Sequence, residues 1–128
     1  MRRILKPSGV LVINCFAHFK TGRDFFGASL EKTLSSVFRS VRVHSEGEGF
    51  NVFFVASEAP ELRPVRPPDF ERIHAYARPR AESAFARVVQ FNPNHGRVLT
   101  DDYNPVEFFD AANREELRKR LALDVRAH

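Results

Sequence analysis

The run Val10-Leu-Val-Ile-Asn-Cys-Phe16 limits the folds open to this chain more than any other stretch. Six of its seven residues are apolar and show no alternation, so it reads as a strand covered on both faces. Such strands belong to parallel sheets packed between helices rather than to half-wet antiparallel sheets. Ser8-Gly9 punctuates its start, and the loop from His18 to Arg23 ends it. A strand of this kind needs a neighbour along each edge, and the rest of the chain does not obviously supply two. An open, flat, apolar edge is a pairing template. The expectation is therefore a homo-oligomer, or another chain covering the Val10–Phe16 edge.

At 128 residues the chain is long enough for one domain with a real core, though small for a doubly wound α/β fold. An apolar fraction of 43% with thirteen Phe argues for a packed globular chain. No apolar run approaches the roughly 18–20 residues of a membrane span, so no membrane contact by this chain is expected. Met1-Arg-Arg-Ile-Leu-Lys-Pro7 has no apolar h-region, so no signal peptide is expected. A lone cysteine, Cys15, cannot form an internal disulfide, which fits a reducing, cytoplasmic location. Its place in the apolar run makes it a buried structural thiol.

The net charge is +4, and sixteen of the twenty basic residues are Arg. They are scattered from Arg2 to Arg126 among acids, with no basic helix face or nucleic-acid motif, so they read as a solvated surface.

After the strand, Thr21 and Asp24 have capping-box spacing for a helix. Phe26, Leu30, Leu34 and Phe38 then recur at i, i+4, widened by Val37, while Glu31, Lys32, Ser35 and Arg39 lie mostly on the watered side. Val41–His44 and Asn51–Ala56 follow as two short strands. Ser45-Glu-Gly-Glu-Gly49 between them offers glycines for the positive φ of a tight reversal. The simplest geometry is an antiparallel hairpin at the end of a sheet, outer strand half exposed and inner strand buried. Residues 1–58 thus form a half-sheet unit of strand, helix and hairpin.

Residues 59–68 are a Pro-rich surface connector, and 69–128 a helical extension packed on the same core. Asp69 is placed to cap a first short helix, with Phe70, Ile73 and Ala77 inward and Pro79 breaking it. Ala81–Val89 continues as helix, and Phe91-Asn-Pro-Asn-His-Gly96 is a turn-rich loop. Asn104, Pro105 and Glu107 fit the N-cap, N1 and N3 of a short helix pinned by Phe108 and Phe109. Asn113 with Glu116 repeats the cap spacing and opens a last helix, Arg114 to Leu123.

Asp101, Asp102 and Tyr103 are the strongest candidate site. Two carboxylates can hold a cationic amine by charge-assisted hydrogen bonds, with the phenol packing on its methylenes. The alternative is that Thr100–Glu107 organises a turn and a helix start. The five histidines, His18, His44, His74, His95 and His128, lack metal-ligand spacing, and a Cys15–His18 catalytic pair has no evident third group. Glu46 and Glu48 read as solvated turn residues. Arg23 and Asp24 stand at the strand's carboxyl end, where open α/β sheets bind ligands, although Asp24 reads first as a helix cap.

Strand, amphipathic helix and terminal antiparallel hairpin resembles the way class I S-adenosylmethionine-dependent methyltransferase sheets close. Pro7-Ser-Gly-Val-Leu-Val-Ile-Asn14, Gly22-Arg-Asp-Phe-Phe26 and Leu99-Thr-Asp-Asp-Tyr-Asn-Pro-Val-Glu107 together resemble bacterial spermidine synthase-like proteins. These are aminopropyltransferase relatives on that fold. The resemblance implies the C-terminal half of a Rossmann-like methyltransferase-type α/β sheet followed by short helices, with Val10–Phe16 as the family's fifth strand. It also implies a polyamine pocket bordered by the segment near Asp101–Tyr103. In the full-length family an aminopropyl group passes from decarboxylated S-adenosylmethionine, the co-substrate, to a diamine held by an ionised acid and a Tyr. The family's Gly-rich cofactor loop, ribose-binding acid and catalytic Asp have no counterpart here, since Gly47-Glu-Gly49 sits in a hairpin with no helix N-terminus behind it. This chain alone is thus expected to bind no cofactor and to be inactive. The alternative is a non-catalytic interaction or dimerisation domain derived from that fold.

Overall fold

The computed structural model describes residues 5–47 and 49–126. The apolar run extends to nine residues as strand β1, Val10–His18, and leads into helix α1, Phe25–Val37. Strands β2, Ser40–Ser45, and β3, Gly49–Ser57, form the hairpin. After the connector come a 3-10 turn at Phe70–Arg72, helix α2 at Arg78–Ala86, strand β4 at Val88–Val89 and helix α3 at Val106–Arg126.

The four strands make one sheet of order β1-β3-β2-β4, and every pairing in it is antiparallel. The parallel sheet read from the apolar run is thus corrected to a mixed α/β fold with an antiparallel sheet. The reason is topological: β3 enters between β1 and β2, so these two strands run the same way without touching. Val10 pairs with Ser57, Val12 with Val55 and His18 with Gly49, while Arg42 sits opposite Val55 on the other side of β3.

Only one face of the sheet is fully covered. Val43, Val52, Phe54 and Ala56 are buried and pack with Phe26, Ala28 and Leu34 of α1, and Leu11, Ile13 and Cys15 lean on the same cluster. On the opposite face Val10 and Val12 are 50% and 58% exposed. The expectation that β1 is covered on both sides therefore fails, because α2 reaches this face only over β2. There His44 Nδ1–H donates to the Ala84 carbonyl at 3.1 Å, and the His44 and Phe85 rings stack at 6.3 Å.

Phe91, 4% exposed, plugs the core between helix and sheet. Its ring stacks on Phe19 at 4.6 Å and lies nearly parallel to Phe54 at 6.0 Å. Gly27 makes room for it, since a Cβ at that position would sit 2.2 Å from the ring.

Several local expectations change. Pro79 lies in the first turn of α2, where its missing N–H is harmless, instead of breaking a helix. Val88 and Val89 leave the helix and pair with His44 and Val43 as β4. Asp69 precedes only a 3-10 turn without bonding it, and Ala77 is exposed. The two short C-terminal helices are one 21-residue helix, with Asn113 and Glu116 inside it. Phe109 packs on the core whereas Phe108 is 74% exposed. Positive φ falls on Gly22 and Gly96 instead of on Gly47 in the hairpin, and Glu48 and His128 lie outside the described residues. No helix among the described residues is long and apolar enough to cross a membrane.

Candidate functional site

Polar side chains from three distant parts of the chain meet at the carboxyl end of β1. Asp24 is 3% exposed, yet its side chain does not cap α1. Oδ1 accepts the Gly22 N–H at 3.2 Å, and Oδ2 lies 2.8 Å from His95 Nδ1. A carboxylate only accepts, so this contact sets the proton of neutral His95 on Nδ1 and leaves the Nε2 lone pair available. The His95 side chain is 34% exposed, so solvent reaches part of the ring.

Beside this pair, Glu116 of α3 is shared. Its Oε2 lies 2.8 Å from Arg23 Nη1 and 3.5 Å from Nε2 of buried His18. One turn earlier in α3, Asn113 Nδ2 donates to the Phe16 carbonyl at 2.7 Å. Phe109, four residues before Asn113, packs against Phe25 with the rings tilted by 38° and their centroids 5.2 Å apart. Phe109, Asn113 and Glu116 form one helix face at i, i+4 and i+7, and this face lays α3 over the end of β1.

The loop carrying His95 is held along α1 as a strap. Phe91 N–H donates to Glu31 Oε2, Arg97 N–H to Ser29 Oγ and Leu99 N–H to Thr33 Oγ1, at 3.0, 3.0 and 2.8 Å. Lys32 Nζ donates to the Gly96 carbonyl at 3.1 Å. Glu31 and Lys32, expected to face water, are therefore strap ligands. Burial raises the Glu31 carboxyl above its usual range, opposed by the Phe91 N–H. Gly96 has φ +72°, and a Cβ there would lie 2.5 Å from the Ser29 backbone nitrogen, so the strap touches the helix backbone itself.

Asp101, Asp102 and Tyr103 stay together on an exposed turn just before α3. Thr100 and Tyr103 exchange two backbone hydrogen bonds of 3.1 Å, and Thr100 Oγ1 also accepts the Tyr103 N–H. The two carboxylates face solvent, where an amine can reach them, and Tyr103 is 40% exposed. Among the described residues no hydrogen bond or ion pair joins them to the His18–Arg23–Glu116 cluster. Nor do the described residues include three or more His, Cys, Asp or Glu grouped to hold a metal.

A second concavity, of about 720 Å³, runs along the open sheet face. Val10, Val12, Phe53 and Val55 make its floor, with Phe85 and Leu62 on its sides and Arg42 at its margin.

The sequence reading drew Arg23 and Asp24 to the right end of β1 but missed His95, Asn113 and Glu116. His95 and Asp24 are 71 residues apart, and Asn113 and Phe16 are 97 apart, so no local pattern joins either pair.

Comparison of the chain with protein-family models, with curated proteins and with solved structures returns no match.

Proposed function

We propose that this chain is the sheet-closing, C-terminal portion of a spermidine synthase-like protein. On this reading it serves aminopropyl transfer to a diamine only together with a half that holds decarboxylated S-adenosylmethionine. The observation that carries the reading is the β1–α1–β2–β3 unit. Two like-directed strands joined through a helix flank an inverted third, which matches the strand, helix and terminal hairpin of the class I methyltransferase closure.

Two further features support it. β1 is an edge strand, so a neighbouring strand of the cofactor half has somewhere to pair. The polar cluster of His18, Arg23, Asp24, His95 and Glu116 gathers at the carboxyl end of β1, the side on which open α/β sheets take ligands. The exposed Asp101-Asp102-Tyr103 turn offers two carboxylates and a phenol to a cationic amine.

The test is calorimetric titration of the purified chain with decarboxylated S-adenosylmethionine and with putrescine. No heat from the nucleoside is expected, and weak, salt-sensitive heat from the diamine that disappears in Asp101→Asn/Asp102→Asn. Nucleoside binding by the chain alone would overturn the reading. DNA directly upstream of the Met1 codon is expected to encode a Gly-rich cofactor loop in frame.

A second reading is a non-catalytic assembly domain. The exposure of Val10 and Val12 on the open face favours it, because apolar side chains on an edge strand are association surfaces. Loss of diamine binding without change in association would separate the two.

A further inference from the structure

The backbone of β1 is open along only part of its outer edge, and three hydrogen bonds define which part. In an antiparallel strand the N–H and C=O of one residue point to the same side, and successive residues alternate. Gly9 C=O, just before β1, accepts from the Ser57 hydroxyl of β3. Ser45 N–H donates to Arg87, beside β4, so the same alternation holds two strands further on. Odd-numbered residues of β1 therefore face β3, and even-numbered ones face outward. Phe16 agrees, because its carbonyl is taken from outside by Asn113 of α3. What remains is Val10, Val12 and Asn14, whose outward N–H and C=O groups find no partner strand among the described residues. Their side chains are exposed as well.

We propose that this five-residue edge pairs with the same edge of a second copy of the chain, antiparallel, on a two-fold axis at Val12. This register sets Val12 against Val12 and Val10 against Asn14, and it satisfies every outward N–H and C=O of the three residues. Across the joined sheet one row then reads Arg42, Val55, Val12, Val12, Val55, Arg42. Four valines meet at the centre with an arginine at each end. Five strand spacings separate the two guanidinium-bearing positions by roughly 24 Å. That is about three times the Debye length at physiological salt, so two copies of a chain of net charge +4 meet without opposed charges at the seam.

Size sets the strength. Five residues of seam span only about 17 Å, too short a line to bury by itself the roughly 800 Å² per partner of a standard interface. The apolar floor beside the seam, Phe53 and Val55 with Leu62 above, adds area but lies to one side. The seam therefore belongs with small, transient interfaces. A third-party strand would satisfy the same groups, but only a second copy brings the Val12 row to meet itself.

The inference rests on the open edge of the assembly reading above, and a strand of a cofactor half would compete with the second copy for that edge. Nucleoside binding by the lone chain would defeat the transferase reading and leave the seam intact, whereas a monomer defeats the seam alone.

Sedimentation equilibrium of the full chain between 1 and 200 µM, read with disulfide trapping, tests it. Wild type is expected to pass from monomer to dimer, and Val12→Lys to weaken association at least tenfold while keeping its circular dichroism. In a Cys15→Ala background, Val12→Cys is expected to cross-link to itself, since facing Cα atoms lie about 5.5 Å apart. Asn14→Cys is not, because this register holds the two copies of Asn14 about 14 Å apart. A monomer at 200 µM, a dimer unmoved by Val12→Lys, or equal trapping of both cysteines would overturn the proposal.

Discussion

Asp24 Oδ2 and His95 Nδ1 lie 2.8 Å apart although 71 residues separate them. The pair joins the start of α1 to the strap and stands beside the cluster at the end of β1. Replacing His95 by Ala leaves the buried carboxylate with only the Gly22 N–H among the described residues. The expected loss is about 1–3 kcal/mol in denaturant unfolding. Asp24→Asn keeps the Gly22 contact and is expected to cost less.

Glu31 makes stability depend on pH in a defined direction. Its carboxyl titrates above the usual 4.5 because burial disfavours the charge. The folded chain then holds this proton more tightly than the unfolded one, so the contribution is greatest below pH 4.5 and is lost as pH rises through the raised value. Glu31→Gln removes the titration. Its stability relative to wild type is expected to improve as pH rises from 4 to 7 in denaturant midpoints. Glu31→Ala, which strands the Phe91 N–H, is expected to cost about 1–3 kcal/mol at pH 4, and the cost relative to wild type shrinks as pH rises through the raised Glu31 value.

Gly96→Ala tests the strap directly. The left-handed backbone alone costs a side chain about 1–2 kcal/mol. Here the added Cβ also meets the Ser29 nitrogen at 2.5 Å and the Ala28 carbonyl carbon at 2.7 Å, neither of which is free to rotate away. A loss of more than about 2 kcal/mol is expected, with faster amide exchange at Phe91, Arg97 and Leu99.

Asn113→Ala removes the bond that lays α3 on β1. About 1 kcal/mol is expected in denaturant unfolding. The more telling readout is limited trypsinolysis, which should speed up at Arg114 and Arg118. The cost of Asn113→Ala relative to wild type should change little with salt, because the lost bond is between neutral groups, whereas the cost of Glu116→Gln should shrink as salt screens the Arg23 pair that wild type keeps.

How far the sequence revealed this architecture depended on whether a signal was local. The spacing Phe26, Leu30, Leu34 is a helix face whatever it packs against, and α1 lies there. The hairpin of β2 and β3 followed from two apolar runs and a short polar break. Val10–Phe16 is a strand, as its apolar run implies, but the lack of alternation that implies burial on two sides does not correspond to cover on the second face. Val10 and Val12 are apolar residues that stand exposed, and no periodicity separates such a residue from a buried one. Asn113 and Glu116 show a different ambiguity. Three residues is the spacing of a capping box and also of neighbours on one helix face, and in α3 the second meaning holds. Asp101–Tyr103 were legible as a turn because their bonds are within four residues. The His95 and Glu116 contacts were not, because they exist only after the chain has folded.

The position of β3 between its two partners has a consequence during synthesis. β1 ends at His18 and β3 at Ser57, 39 residues later, and α1 and β2 are made between them. At typical bacterial to eukaryotic translation speeds that interval lasts about 2–8 s. For those seconds the most apolar strand of the nascent chain is complete while its partner strand among the described residues does not yet exist. Holding factors at the ribosome would therefore act on the first sixty residues, well before α3 has been made.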